Sequence, residues 1–450
     1  MLKTYQLFIP ELVPLANKGE EAIVRGIADV IYPDGNCEIH LLDDVDTYEY
    51  QNGIHVYPVQ WFVSPWLTRE FGLGANWEKL RDSSCSLARN GMHKLWPVWV
   101  RQWCSALQTT AVQMRRLAER KAPINEKEHR LLQLLDCDYV IAGHDGALNE
   151  RVCHVIDLMR DLGKSFGIFG VELRTAFRSK AIVDVYYQTL RHSKFFYCRT
   201  ASSLATVRKY FPDISSNLSP DPAFGMKPAK DEEIEKLITD QGLEVFFTKP
   251  IVMCTSCEPA PISRHCFEEI KLPDSKLAAH RQLFAELIRY IIQEYDVNIL
   301  FLPHAVGPGT ALDDRIIARD ILKRAGLPAT RAKLIESPLL ARELKGLVKR
   351  GELLIAERIH SMIGATGVHA PFLCLGSNTD RRIHGIVGEM LGMHKNIYFL
   401  NRPSISELKK KFDDVWQRRD MIRKDLALIS CHLESQLEKT ALQIRKRFQN

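Results

Sequence analysis

From position 139 onward, short apolar runs rich in Val, Ile and Phe alternate with longer segments whose apolar residues recur every three or four positions. Short continuous runs mark strands buried on both faces, and the 3.6-residue period marks helices packed against them. With two earlier runs, the pattern predicts strands at 4–9, 38–42, 139–142, 166–169, 195–198, 252–254, 298–302, 333–336, 353–356 and 372–375. These are too many for one small sheet, and the polar, strandless stretch 225–241 separates them. The pattern therefore predicts an α/β chain of two doubly wound domains, 1–225 and 242–403, with a cleft between them. In such sheets ligands sit beyond the carboxyl ends of the strands, so the residues just after each strand are the ones to inspect.

Two segments break the alternation. Residues 48–131 have little strand character, and six of the seven tryptophans fall between Trp61 and Trp103, which predicts a mostly helical insertion in the first domain. A satellite hydrophobic core accounts for the tryptophans; a dimer face, an acceptor platform or a membrane-surface patch are the functional alternatives, the last kept open by Arg101 beside Trp99 and Trp103. In the tail 404–450, Ile405, Leu408, Phe412, Val415, Ile422, Leu426, Ile429, Leu433, Leu437 and Ile444 form one stripe of a long helix. That stripe must lie on something, either the rest of the protein or a second copy in a homo-oligomer.

Composition narrows the class. The chain has 450 residues, 46% apolar and 26% charged, as expected for a large globular protein. Its formal charge of +6 is too slight for a nucleic-acid coat, and the segment from Ile405 to the end carries +4 of it, on the solvated face of the tail helix. Eleven cysteines at irregular spacing cannot all pair within one chain. No run approaches the roughly 18 apolar residues of a membrane span, and the first residues lack the pattern of a secretory signal. The expected location is the cytoplasm.

Five stretches could carry chemistry. Asn17, Lys18 and Gly19 follow the first strand, where Gly19 permits a tight turn and free backbone N–H groups could meet an anion; many strand-to-helix turns look the same. A second strand runs into Gly143-His144-Asp145-Gly146, where glycines allow close approach and His144 is either a proton donor, an anion contact or a turn histidine bonding local backbone. Arg199 emerges at a strand end before serines suited to cap a helix, and Asp221 stands between two prolines at the domain junction. His304 follows the run VNILFL, with Asp313 and Asp314 placed to cap the next helix.

The fifth stretch is the sharpest: LLIAERIHSMIGATG, 353–367. Arg358 and His360, two apart in an extended turn, would point the same way above a helix N-terminus, a good anion site; a structural ion pair and a core histidine are the plainer alternative. The CxxC at Cys254 and Cys257 has no second pair and reads as structural. Absence of GxxxxGK[ST], HExxH and GxSxG lowers the P-loop, zinc-protease and α/β-hydrolase readings.

In order, NKGEEAI at 17, DYVIAGHDG at 138, RTASS at 199, DPAF at 221, PH at 303, RIHSMIGA at 358 and RRIHGI at 381 resemble the motifs of the polysaccharide pyruvyl transferase family. Glu20 replaces the usual aspartate, GHDG replaces a glycine run, and Arg382 stands where lysine is expected. The resemblance implies two Rossmann-like domains of the GT-B type with a C-terminal helix packing back. It also implies transfer of the enolpyruvyl group of phosphoenolpyruvate onto two hydroxyls of a sugar or glycan, free or lipid-linked, to form a pyruvate ketal. Arg358 and Arg199 would clamp carboxylate and phosphate, with Asn17, Gly19, His304 and Arg382 as further substrate contacts. His360 and His144 would supply acid and base, and Asp221 a base or orienting carboxylate. No cofactor beyond the donor, no metal and no nucleic acid are expected. A sugar-nucleotide glycosyltransferase and a noncatalytic binding member are the competing readings.

Overall fold

The structure, a computed structural model, describes residues 4–62, 98–144, 146, 148–173, 176–177, 179–258, 264–265, 268–269, 272–307, 309 and 312–449. By its contacts the chain forms two compact units. One comprises Met1–Val13, Ile31–Ser219 and Thr440–Asn450; the other comprises Pro14–Val30 and Pro220–Lys439.

The first unit is built on eight strands: β1 (Tyr5–Leu12), β2 (Cys37–Asp43), β3 (Glu49–Gln51), β4 (Ile54–Pro58), β5 (Tyr139–Ala142), β6 (Phe166–Val171), β7 (Phe196–Cys198) and β8 (Asn217–Leu218). They lie in the order β3-β4-β2-β1-β5-β6-β7-β8, parallel except for the antiparallel pair β3–β4. Phe8, Val140, Phe166, Ile168 and Phe196 fill one core, which explains why these strands read as unbroken apolar runs. The helices between them start where a polar side chain accepts the first orphan N–H groups. Asn149, Ser179 and Thr200 do so for the helices Glu150–Asp161, Lys180–Leu190 and Ala201–Tyr210.

The second unit holds β9 (Ile251–Thr255), the two-residue strands β10 (Arg264–His265) and β11 (Glu268–Glu269), β12 (Asn298–Phe301), β13 (Ala332–Leu334), β14 (Leu353–Ala356), β15 (Phe372–Gly376) and β16 (Ile397–Phe399). Six form a parallel sheet in the order β13-β12-β9-β14-β15-β16, and β10 pairs only with β11. Every residue of β9, β12, β14 and β15 is buried. Their carboxyl ends deliver Ser256, Leu302, Glu357 and Ser377 to one edge of the sheet.

The structure differs from the sequence expectation in several places. The segment expected to be helical from 48 begins with β3 and β4, because Ile54, Val56 and Tyr57 bury against β2 and its neighbours. Helices follow at Val98–Ala118 and Glu126–Leu135. The tryptophan cluster lies mostly outside the described residues. The tail is two helices, Ile405–Gln417 and Arg419–Gln449, joined at Arg418. The tail packs on the protein itself: Phe412 of the stripe meets Tyr295 in the second unit, and Phe448, beyond the stripe, meets Tyr139 in the first. The units change at Ser219 and Pro220, ahead of the stretch 225–241, and the segment Pro14–Val30 groups with the second unit. No described helix is long and apolar enough to cross a membrane.

Candidate active site

Asn17, Gly19, Asp221, His304, Arg358, His360 and Arg382 all belong to the second unit. The amino end of the helix Lys18–Ile31 is tied to the end of β12. Lys18 N donates to the His304 carbonyl at 2.8 Å, and Val306 N donates to the Ala16 carbonyl at 2.9 Å. Asn17 Oδ1 accepts from Gly19 N at 3.1 Å. Gly19 lies inside the first helical turn with an ordinary φ, so its reason is close approach and not the tight turn expected. A Cβ at this position would stand 2.4 Å from His360 Nδ1.

Arg358 is the extended N-cap of the helix Ile359–Thr366, and His360 is already helical, so the two do not share the extended turn expected of them. They face different carboxylates. Arg358 Nη2 lies 2.5 Å from Asp314 Oδ1 and Nε 3.3 Å from Oδ2. Asp314 Oδ2 also accepts from His304 N at 3.1 Å and Ala305 N at 2.8 Å. Asp313, one residue earlier, does the capping, accepting from Arg315 N. Burial raises the Asp314 pKa against the pull of Arg358, while Asp314 outweighs burial and holds the Arg358 guanidinium charged. The Arg358 side chain keeps 20% exposure, so a second anion can reach it.

His360 is buried, with Nε2 3.9 Å from Asp221 Oδ2. Asp221 Oδ1 accepts from Ala223 N at 2.9 Å, which fixes the carboxylate at the start of the turn Pro222–Gly225. A cavity of about 20 Å³, room for one water, is lined by Lys18, Thr255, His304, Lys345, His360 and Ser361 among others. His304 Nδ1 is buried without a hydrogen-bond partner. Burial, then Arg358 and Lys18, push this imidazole down to about 3, so it is neutral at pH 7 and offers an anion no charge. Lys345 donates to the Phe224 carbonyl at 3.2 Å and the Met226 carbonyl at 2.5 Å, and burial pushes its ammonium down to about 8.

Next to Arg358, Glu357 takes part in a buried triad. His280 Nε2 lies 2.6 Å from Glu357 Oε1 and Nδ1 lies 2.8 Å from Glu258 Oε1. Burial opposes the charged imidazole, but the two carboxylates outweigh it and raise its pKa to about 9. Cys257 N also donates to Glu357, at 2.8 Å, its Sγ donates to the Glu357 carbonyl at 3.5 Å, and the buried Cys254 and Cys257 are not joined in a disulfide. Arg382 grips Asp380 through Nε at 3.1 Å and Nη2 at 2.9 Å, beyond the end of β15.

His144 and Arg199 belong to the first unit. His144 Nδ1 is 2.8 Å from Glu11 Oε2, and that carboxylate also accepts from Gly143 N at 2.8 Å and His144 N at 3.1 Å. Gly143 adopts φ +104°, the region that favours glycine. Arg199 is fully buried, with Nε 3.5 Å from Glu172 Oε2; Thr200 Oγ1 donates to the same oxygen at 2.9 Å.

Sequence reasoning missed Asp314 as the partner of Arg358, and also Lys345, His280, Glu357 and Glu11. Asp314 carried a signal, since two adjacent aspartates exceed what one helix start needs. Glu11, His280 and Lys345 sit inside apolar-periodic segments and carried none.

The whole chain is similar to solved glycosyltransferases. A UDP-forming trehalose-phosphate synthase from Burkholderia xenovorans superposes with TM-score 0.53 at 10% identity, covering 100% of this chain and 99% of its own. An E. coli trehalose-6-phosphate protein bound with UDP-2-fluoro glucose gives 0.51 at 11% identity, with 99% of each chain covered. A synthase from Burkholderia multivorans gives 0.52 at 10% identity, covering 100% of this chain and 98% of that one. The fold is thus of the GT-B type, two Rossmann-like units. Among curated protein sequences no match is found. The family model of polysaccharide pyruvyl transferases matches residues 17–379. The chain belongs to that family and is a transferase.

Proposed function

We propose that this protein transfers the enolpyruvyl group of phosphoenolpyruvate onto two hydroxyls of a sugar or glycan. The observation that carries the reading is the pairing at one sheet edge of a partly exposed, permanently charged Arg358 with the His360–Asp221 couple. The reaction needs a cation for the donor's carboxylate or phosphate and a group that moves protons, and those two requirements fall on these residues.

In this reading Arg358 binds the donor anion from the side that Asp314 leaves open. The methylene carbon of phosphoenolpyruvate takes up a proton and becomes the methyl group. The neighbouring carbon, now electron-poor, bonds one hydroxyl oxygen; its bond to the phosphate oxygen then breaks, and the second hydroxyl oxygen bonds in its place. One hydroxyl proton balances the proton gained by carbon; the other leaves with phosphate. The His360 imidazole, with Asp221 Oδ2 3.9 Å from its Nε2, gives or takes these protons. Lys18 and Lys345 add positive potential around the same small cavity. No further cofactor is needed for the atoms to balance.

The fold is shared with enzymes that use UDP-sugars, so a UDP-sugar is the competing donor. Purified protein incubated with phosphoenolpyruvate and a glycan panel should release inorganic phosphate and yield an acid-labile ketal. Arg358→Ala and His360→Ala should remove that release. Turnover of UDP- or GDP-sugars with none of phosphoenolpyruvate would overturn the reading.

A further inference from the structure

We infer that the first unit carries a binding site for a divalent transition-metal ion, built by Glu38, His40 and His55 on β2 and β4. The sequence separates these residues by up to 17 positions, but the sheet brings them together. Gln6 of β1 pairs in register with Glu38, and His40 pairs in register with His55. Glu38 and His40, two apart on one strand, share a face. One donor atom from each of Glu38, His40 and His55 lies within 4.8 Å of the others.

The surroundings hold both imidazoles at both nitrogens. His40 Nδ1 contacts the Tyr57 hydroxyl at 2.9 Å, and His55 Nδ1 contacts the Tyr48 hydroxyl at 2.6 Å. The rings stack 4.3 Å apart at 3°, and both Nε2 atoms contact the bonded pair Gln6 and Glu38. There His55 Nε2 meets Glu38 Oε2 at 3.3 Å, and His40 Nε2 meets Gln6 Oε1 at 2.5 Å, while the Gln6 amide nitrogen donates to Glu38 Oε2 at 2.9 Å. A tyrosine oxygen on the far nitrogen of each histidine can accept from Nδ1–H, the outer partner that a metal-ligating tautomer needs. On binding, each neutral imidazole changes tautomer: its proton leaves Nε2 to solvent and one is taken up at Nδ1, which then donates to the tyrosine oxygen, so the ring's proton count is unchanged. The Tyr57 hydroxyl then donates to Gln133 Oε1, 3.4 Å away.

Two imidazoles and one carboxylate suit Zn²⁺ or its neighbours and not Mg²⁺ or Ca²⁺, which take oxygen ligands. The Gln6 carbonyl oxygen or a water completes four-coordination. Bringing the donors to metal distance asks the two stacked rings to tilt so that their Nε2 lone pairs converge, and Glu38 to move; its side chain, 40% exposed, gives the ion a path from solvent. His40 is buried, which keeps competing water away on the other side.

The test uses the tag-free full chain after chelator treatment and dialysis, titrated with Zn²⁺ by calorimetry in the presence of excess Mg²⁺. The expected result is one saturable equivalent, weakened at least tenfold in Glu38→Gln and in His55→Asn, and unchanged in the exposed-site control His432→Gln. Glu38→Gln keeps the fold within reach because that side chain is half in water. Thermal unfolding should show Zn²⁺ raising the melting temperature of the wild type more than that of Glu38→Gln. Bound Co²⁺ should give visible d–d bands without a thiolate charge-transfer band. No saturable binding, equal affinity in wild type and both cluster variants, or a thiolate band would overturn the assignment.

Discussion

The α-carbon of Gly19 lies against the imidazole of His360, so that a methyl group at position 19 would stand 2.4 Å from Nδ1 and 2.9 Å from Cγ. Within an ordinary helix, alanine for glycine would stabilise by about 1 kcal/mol. Here the imidazole must move instead, which changes its place beside Asp221. Gly19→Ala should lower kcat/KM for phosphoenolpyruvate by about 100-fold, the scale of a misplaced reacting group, while circular dichroism stays native. A double variant with His360→Ala should lose little more than His360→Ala alone. Full activity in Gly19→Ala would show that the position of His360 does not matter to the reaction.

Asp314 is the only carboxylate found on Arg358 among the described contacts, and it also holds the His304 and Ala305 N–H groups. Asparagine in its place can still accept from the backbone but leaves a largely enclosed guanidinium uncompensated. Asp314→Asn should therefore destabilise the protein by about 3 kcal/mol in urea unfolding at pH 7. It should also change KM for phosphoenolpyruvate, because the guanidinium loses the group that aims it. A variant as stable as the wild type would mean that the ion pair contributes nothing net.

The His280 triad predicts a pH dependence of stability. An imidazole raised to about 9 from 6.5 keeps a proton that the unfolded chain gives up, so the folded state binds more protons between those values. Its contribution, on the order of 3 kcal/mol, is complete below about 6.5 and disappears as pH rises through about 9. Lys345, lowered to about 8, acts in the opposite sense above that pH, gaining stability as it loses its proton. The informative quantity is thus the difference between wild type and His280→Asn, measured by denaturant unfolding at several pH values. That difference should be largest near pH 6.5 and small by pH 10; a flat difference would remove the charge from the account.

On the acid side the sign reverses for His304. Held down to about 3 by burial, it stays neutral while the unfolded chain takes up a proton near 6.5. Its contribution is present above 6.5 and lost progressively as pH falls toward 3. His304→Gln, which keeps a polar side chain without the basic ring, should flatten the loss of stability between pH 6.5 and 4. If wild type and variant fall in parallel, the ring is not the cause.

Much of the fold was legible because buried parallel strands announce themselves: LLIA at 353–356 and YVIA at 139–142 are strands at the expected bounds. The strands that escaped are ones whose partners supply the reason for pairing. IHVYP at 54–58 alternates polar and apolar residues and needs β2 beside it, and IYF at 397–399 is too short to be seen alone. At the site, Arg358 and His360 stood out by their place after a strand, but not what faces them. Asp314 and Asp221 reach them from 44 and 139 positions away, distances over which no spacing rule operates. The same holds for Glu38, His40 and His55, which only the register of β2 and β4 unites.

Glu11 offers a last case of the same kind, since its carboxylate, fully buried, accepts from Gly143 N, His144 N and His144 Nδ1 across 132 positions or more. Without it two buried N–H groups at the end of β5 lose their acceptor. Leaving such groups unsatisfied costs about 1–3 kcal/mol each, so Glu11→Ala should lower stability by about 3 kcal/mol. Glu11→Gln keeps one carbonyl oxygen and should lose less, and His144→Asn, which leaves both backbone bonds intact, less than Glu11→Ala. Guanidinium unfolding of the three variants measures the order. If His144→Asn proves as costly as Glu11→Ala, the imidazole and not the backbone is what Glu11 holds, and the turn would be organised around the histidine.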